Sequence, residues 1–191
     1  QYMSESSYSI GRIDIRIGGG AIPSLTVQNT GDVTATRFEK LTSGTLDLGS
    51  DVTCKSFKLS AGTLDLKGYK LVGDIDMGSG FIDIGNGELQ VTGSTFTNNG
   101  GLDAGTVSFS GTGTTTVYTN SGATWGNVVV NNASGITLAS GNMKISGTLA
   151  LTSGVITTGS NYVLLIDTPP TSLTGGSNTS FINGELRRSI K

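Results

Sequence analysis

The stretch SGTLDL at residues 43–48 returns as AGTLDL at 61–66 and as SGFIDI at 79–84, so that each copy begins 18 residues after the one before. A looser version, Gly101-Leu102-Asp103-Ala104, follows further along the chain. A short unit that recurs every ~20 residues is typical of a solenoid, in which each unit buries its apolar face only against its neighbours. The repeat predicts an architecture, and no reaction can be read from it.

Apolar and polar residues alternate with a period of two through almost the whole chain, as in Ile13-Asp14-Ile15 and Val107-Ser108-Phe109. Such alternation indicates strands with one buried and one exposed face. Gly- and Asn-containing pairs separate the strands and favour turns, because both residues tolerate positive φ. No convincing stretch has apolar residues at a spacing of 3.6, so we expect almost no helix.

Together these patterns predict an all-β fold, a single-stranded parallel β-helix (β-solenoid) with coils of ~18–22 residues. An antiparallel sandwich also has many short strands, but its successive strands have different neighbours and need not repeat a sequence. In a solenoid, equivalent residues stack ~4.8 Å apart, and the chain length then gives about nine coils. The predicted inward ladders are Leu46–Leu64–Ile82 and Leu48–Leu66–Ile84, and the predicted outward ones are Thr45–Thr63–Phe81 and Asp47–Asp65–Asp83.

The whole chain, residues 1–191, is expected to form one β-solenoid domain. Residues 1–40 lack the repeated hexad and are predicted to form an atypical N-terminal coil or cap. Residues 41–166 are predicted to form regular coils, and 167–191, which begin at a Pro-Pro pair, a less regular C-terminal segment. Bare solenoid ends expose unpaired strand edges, so a cap or a partner is expected there.

Composition excludes several classes of function. The net charge is −2 and no basic stripe is present, so a nucleic-acid partner is not expected. The sequence contains no run of 18 or more apolar residues, so a membrane span is not predicted. The first residues carry no secretory leader, which fits a secreted or cell-surface chain whose leader has been removed, a fragment, or a cytosolic chain.

The single cysteine, Cys54, occupies an apolar position of a strand and is interpreted as a small buried residue, with a reactive thiol as the alternative.

The sequence contains no histidine, which removes Ser-His and Cys-His nucleophile pairs and histidine-bound zinc. One cysteine is too few for a thiolate cluster. We therefore expect no enzymatic activity. A β-helix polysaccharide lyase or hydrolase that works with Asp, Lys and Arg is kept as an alternative.

The candidate binding site is the stacked column Asp47, Asp65 and Asp83, with Asp103 above it. Carboxylates at ~4.8 Å intervals repel one another and need compensation. Calcium between the carboxylates or a polar groove for sugar hydroxyls would make the column functional. Alternatively, the side chains are solvated and pair with Lys55, Lys58, Lys67 or Lys70. No other cofactor is expected.

Three aromatic residues, Trp125, Tyr118 and Tyr162, are candidates for stacking on sugar rings if they are exposed, and core packing is the alternative. The threonine-rich stretch at 111–116 raises the idea of ordered water or ice on a threonine ladder. Its threonines are consecutive rather than repeated once per coil, so a turn and strand of high β propensity is favoured. The pair Arg187-Arg188 is interpreted as a solvated strand edge rather than an anion site.

Four sequence segments resemble the repeat regions of large secreted surface proteins of Bacteroidetes-type bacteria: residues 43–49, 109–114, 147–159 and 181–190. They are similar, more loosely, to filamentous-haemagglutinin and autotransporter adhesin β-helices. The resemblance covers about residues 40–190 and implies a stalk, adhesin or extracellular scaffold with no catalytic residues.

These observations predict a non-enzymatic extracellular or cell-surface β-solenoid that serves in adhesion or as a surface coat or fibre. Its ends are expected to join other copies by strand addition into a homo-oligomer or filament. A carbohydrate-binding module is the alternative, and a glycan or another cell-surface ligand is the expected partner.

Overall fold

The computed structural model describes residues 14–17, 37–103, 105–120, 122–166, 169 and 172–189, with the backbone alone for 14–17. Every regular element in this part of the chain is a strand, apart from a single 3-10 position at Ser172. The strands are β1 (Asp14–Ile17), β2 (Arg37–Lys40), β3 (Thr45–Asp47), β4 (Val52–Leu59), β5 (Thr63–Asp65), β6 (Lys70–Met77), β7 (Phe81–Asp83), β8 (Glu88–Asn98), β9 (Gly101–Leu102), β10 (Thr106–Phe109), β11 (Thr115–Thr119), β12 (Thr124–Trp125), β13 (Asn127–Asn131), β14 (Ile136–Ser140), β15 (Met143–Ile145), β16 (Leu149–Ser153), β17 (Ile156–Leu165), β18 (Leu173–Gly175) and β19 (Ile182–Arg188).

These strands wind into a parallel β-solenoid of about seven turns with coils of ~20 residues, which confirms the predicted fold class. Every ladder between named strands is parallel, and each strand pairs with a strand roughly one coil away along the chain. The predicted nine coils refer to all 191 residues, whereas the seven turns belong to the described residues, which leave out most of 1–36. The step between coils also grows from 18 residues in the repeated hexads to 26 between Ile156 and Ile182.

The coil has three walls. Wall 1 comprises β3, β5, β7 and β9, followed by β12, β15 and the C-terminal parts of β17 and β19. Wall 2 comprises the first residues of β4, β6 and β8, followed by β10, β13, β16 and β18. Wall 3 comprises β1, β2, the last residues of β4, β6 and β8, then β11, β14 and the first residues of β17 and β19. Among the described residues, wall 1 is interrupted between β9 and β12, because β12 packs beside β9 without joining its hydrogen-bonded sheet.

The repeated hexads lie on wall 1 in the register that the sequence predicts. Leu46 pairs with Leu64 and Leu64 with Ile82, and all three are buried. The second predicted ladder, Leu48–Leu66–Ile84, is buried as well. Thr45 and Phe81 are exposed on the outer side. The alternation within each hexad therefore sorts its residues between core and surface as expected.

The glycine of the hexad explains the sharp corner before wall 1. Gly44 and Gly62 have φ of 97° and 78°, values that L side chains rarely adopt. A Cβ on Gly62 would also lie 2.5 Å from the carbonyl oxygen of Gly44 in the coil before. Successive corners thus pack backbone against backbone, and a side chain would separate them.

The core is one continuous column of stacked apolar side chains. On wall 3 the ladder runs through Phe38, Phe57, Ile75, Phe96 and Val117. Leu138 continues it in the next coil. Neighbouring coils thus supply most of the apolar contacts, as expected of a repeat architecture.

The predicted division at residues 40 and 166 stays a prediction. Most of 1–40 lies outside the described residues, although β1 pairs in parallel with β2. In the C-terminal segment, β18 and β19 still join the ladders of walls 2, 3 and 1. None of the described residues belongs to a helix long and apolar enough to cross a membrane.

Candidate functional surfaces

The aspartate column lies on the outer side of wall 1. Asp47 pairs in register with Asp65, and Asp65 with Asp83. Adjacent strands of a sheet are ~4.8 Å apart, so the three carboxylates repel one another unless a cation lies between them. The structure supplies that cation from the chain itself.

Lys67 compensates the first two carboxylates. Its ammonium pairs with Oδ2 of Asp65 and lies 3.9 Å from Oδ1 of Asp47. Its backbone amide donates to Oδ1 of Asp65 at 2.8 Å, while Lys67 itself has φ of 51° at the turn. The hydrogen bond to Asp65 raises the pKa of Lys67. Of the four lysines suggested as partners, this one pairs with the column, whereas Lys58 pairs with Glu39 and Lys70 with Glu88.

Asp103 lies next to Asp83, but its carboxylate is turned into the backbone. Its oxygens accept hydrogen bonds from the amides of Ile84 and Gly85, both at 2.9 Å, and of Gly105 at 3.2 Å. Burial raises the pKa of Asp103, yet these amides outweigh it and the net shift is downward. The pKa of Asp83 is raised, chiefly by its hydrogen bond with Asp103. Asp103 therefore lies at the end of the column, beside Asp83, and its carboxylate holds the turn after wall 1. A binding role for the column stays a prediction.

No group of three or more Asp, Glu, His or Cys in the described part of the chain is placed to hold a metal ion. Calcium at the column stays an untested prediction.

The aromatic candidates separate into three environments. Trp125 is completely buried and packs against Phe96 and Phe109, with ring centroids 5.4 Å and 6.2 Å away. The role of Trp125 as an exposed sugar platform is therefore wrong, because its ring fills the core. Tyr162 is covered by the Arg187 guanidinium, which lies 3.8 Å from the ring centroid.

Tyr118 differs from both, because it is 41% exposed on the outer side of wall 3. Its register partners are Thr97 in the coil before and Ser140 in the coil after. Of the three aromatic candidates, it alone presents a free ring to solvent.

Arg187 is engaged within the chain rather than offered to an anion. Its guanidinium donates to both carboxylate oxygens of Glu185, at 2.7 Å and 2.9 Å. Arg188 occupies the rung position that Leu165 occupies one coil earlier. This arrangement agrees with the interpretation of the pair as a strand edge.

Cys54 is buried, as predicted, and its thiol lies 3.6 Å from the carbonyl oxygen of Val72. Burial, with a smaller contribution from the charge of Asp74, raises the pKa of Cys54 to about 12. A thiol with so little thiolate is unreactive at neutral pH.

A polar network that sequence reasoning missed crosses the outer side of wall 2. Lys70 pairs with Glu88 at 2.7 Å, and the hydroxyl of Ser108 donates to the other oxygen of the same carboxylate. Burial raises the pKa of Glu88, but Lys70 and Ser108 together lower it on balance. In the same coils, Nε2 of Gln90 donates to Oγ of Ser110 at 2.6 Å. These bonds link side chains of successive rungs.

A threonine ladder on wall 3 was also missed. Thr95, Thr116, Thr137 and Thr157 pair in register across four successive coils. The spacings between them are 21, 21 and 20 residues, so no fixed period marks them in the sequence. The signal that would have found them is a threonine immediately before an inward residue in each coil: Phe96, Val117, Leu138 and the buried Thr158.

The threonines at 112 and 114–116 divide between two roles. The hydroxyls of Thr114 and Thr115 donate to the carbonyl oxygens of Ser134 and Gly93, at 3.0 Å and 2.7 Å. Ser134 in turn donates to the carbonyl oxygen of Thr112 at 2.8 Å. These bonds hold the turn, as the local interpretation predicts, whereas Thr116 joins the ladder.

Comparisons of the chain with protein-family models, with curated proteins and with solved structures gave no match. The resemblance to secreted surface proteins of Bacteroidetes-type bacteria is therefore supported in its implied fold alone.

Proposed function

We propose that this chain is a non-catalytic structural β-solenoid that works outside the cell or at its surface, in adhesion or as part of a coat or fibre. A rigid rod whose core is built coil upon coil can be extended by adding coils or copies at its ends, without a change of fold. The resemblance of residues 43–49 and 181–190 to surface-protein repeats supports the location.

The observation that supports assembly is the exposure of Leu186 in β19, the last described rung of wall 1. Leu186 pairs with Val163, and Val163 with Met143, so all three occupy the same inward column. Val163 and Met143 have no exposed surface, whereas Leu186 is 41% exposed. Phe181, just before β19, is 42% exposed. Phe181 precedes the inward Ile182 and lies on the outer side. Among the described residues β19 pairs on one side only, so the core position of Leu186 and a parallel strand edge are uncovered together, which is the kind of surface that strand addition uses.

Sedimentation velocity and negative-stain electron microscopy of the purified chain test the assembly. We expect end-to-end oligomers whose length increases with concentration, because a head-to-tail contact that does not close produces a filament. Leu186→Lys should shift the distribution towards monomers, since it places a charge in the joint. Phe81→Lys is the matched control: Phe81 is 40% exposed on the outer side of β7, which pairs with a strand on each side and so lies away from both ends. Monodisperse monomers at all concentrations and salt levels would overturn the assembly.

The location has its own test. Antibody labelling of intact cells, with and without protease treatment of the cell surface, should detect the native protein outside the membrane and lose it after treatment. Signal found only after lysis would contradict an extracellular role. The lyase alternative stays an untested prediction.

A further inference from the structure

The outer side of wall 3 changes character along the solenoid. In the first coils it carries charged side chains, among them Glu39, Lys58 and Asp76. From β8 to the start of β17 its outward positions are threonine, tyrosine, serine and alanine, with Asn183 following in β19. Residues 104–143 contain no Asp, Glu, Lys or Arg. We call the outward positions Thr95, Thr97, Thr116, Tyr118, Thr137 and Thr157 the hydroxyl face.

The hydroxyl groups of this face are not used to hold the fold. Among the described residues, none of the four ladder threonines makes a side-chain hydrogen bond within the chain, unlike Thr114 and Thr115 nearby. Parallel register places the ladder hydroxyls one rung apart, at ~4.8 Å, on a sheet whose inner side is fully packed. The face is therefore a rigid row of free donors and acceptors.

We propose that the hydroxyl face binds a neutral polysaccharide that lies along the solenoid axis. Hydroxyls that both donate and accept match the hydroxyls of a sugar chain, one threonine for each rung. The exposed ring of Tyr118, beside this row, provides an apolar surface for one sugar ring. A few polar groups around an aromatic surface are the usual composition of a ligand site.

Charge decides between classes of ligand. An acidic polysaccharide or a nucleic acid needs cations, and the described outward positions of this face have none. Ice would need a flat surface, but Tyr118 projects from the row and the register shifts between Val117 and Tyr118. The uncharged face thus fits an uncharged chain of sugars better than either alternative. The site also differs from the aspartate column on wall 1, where Lys67 already pairs with the carboxylates.

This inference specifies the ligand of the proposed adhesive role, and its test is independent of assembly. The full chain is incubated with microcrystalline cellulose, chitin and insoluble mannan, and with soluble polygalacturonate as the acidic comparison. We expect saturable binding to at least one neutral polymer and none to polygalacturonate. Failure to bind any of the three neutral polymers would overturn the inference while leaving end-to-end assembly untouched.

Two variants locate the site. Tyr118→Ala should weaken binding by roughly tenfold, which corresponds to about 1.4 kcal/mol. Tyr69→Ala is the matched control, because Tyr69 is 39% exposed but follows wall 1 in another coil. Thr116→Lys should interrupt the row and abolish binding, whereas Thr63→Lys on wall 1 should not.

Far-ultraviolet circular dichroism of each variant establishes that it is folded before binding is compared. Equal binding by the Tyr118 and Tyr69 variants would show that the face is not the site. Uptake of the protein into slowly grown ice, without binding to sugar polymers, would replace the proposed ligand by ice and overturn the inference.

Discussion

Leu64→Ala should destabilise the solenoid strongly, and its neighbour Thr63→Ala should not. Leu64 has no exposed surface and stacks between Leu46 and Ile82 in the repeated hexads. The substitution removes three buried carbon atoms at ~0.8 kcal/mol each, about 2.4 kcal/mol in transfer free energy. The residual cavity adds to this, because the stacked backbones cannot close over it, so we expect a total of about 3–4 kcal/mol.

Urea denaturation followed by far-ultraviolet circular dichroism measures the difference, with the free energy of unfolding taken from the midpoint and slope. Thr63 points outward on the same strand, so Thr63→Ala should change the free energy of unfolding by less than about 0.5 kcal/mol. The fluorescence of Trp125, the single tryptophan, reports on coils further along. Equal losses for the two variants would refute the assignment of inner and outer faces.

Three further predictions concern single groups. Cys54 in the native chain should resist a thiol reagent at pH 8 and react on unfolding, because its pKa is raised to about 12; rapid native labelling would contradict its burial. Asp83 has a raised pKa in the folded state, so its contribution to stability is lost as pH rises through that pKa. Asp83→Asn should therefore stabilise the chain at neutral pH and lose this gain below the ordinary aspartate range, as measured by thermal unfolding at several pH values, while Asp103→Asn should destabilise it at neutral pH. Gly154→Ala should cost more than about 1 kcal/mol in urea denaturation, because Gly154 has φ of 88° and a Cβ would lie 1.7 Å from the carbonyl oxygen of Asn132.

The fold could be predicted because the hexad repeats its inward and outward residues at a constant 18-residue step. Stacking then follows from local alternation alone, without knowledge of distant contacts. The threonine ladder could not be predicted in the same way. Its coils differ in length, and a bulge between Val117 and Tyr118 shifts the register. Register across irregular coils depends on how each turn packs, which a period does not encode.

The alignment of the aspartate column could be predicted from the sequence, whereas the hydrogen-bond partners of its carboxylates could not. Its alignment followed from the repeat, but the rotation of Asp103 towards three backbone amides depends on the turn after wall 1. The choice of Lys67 as partner likewise depends on its φ of 51°, which brings the side chain back beside Asp65. The burial of Trp125 follows from its contacts with Phe96 and Phe109, residues of two other strands.

The interruption of wall 1 between β9 and β12 has a mechanical meaning. At that level walls 2 and 3 carry continuous hydrogen-bond ladders, whereas the described residues of wall 1 form none between β9 and β12. Since wall 1 has fewer hydrogen bonds between these two coils than walls 2 and 3, a lateral force on the solenoid should bend it at this level, with the two coils separating on the side of wall 1. Joined end to end, such units would give a fibre that is stiff over each rod and yields at regular intervals along its length.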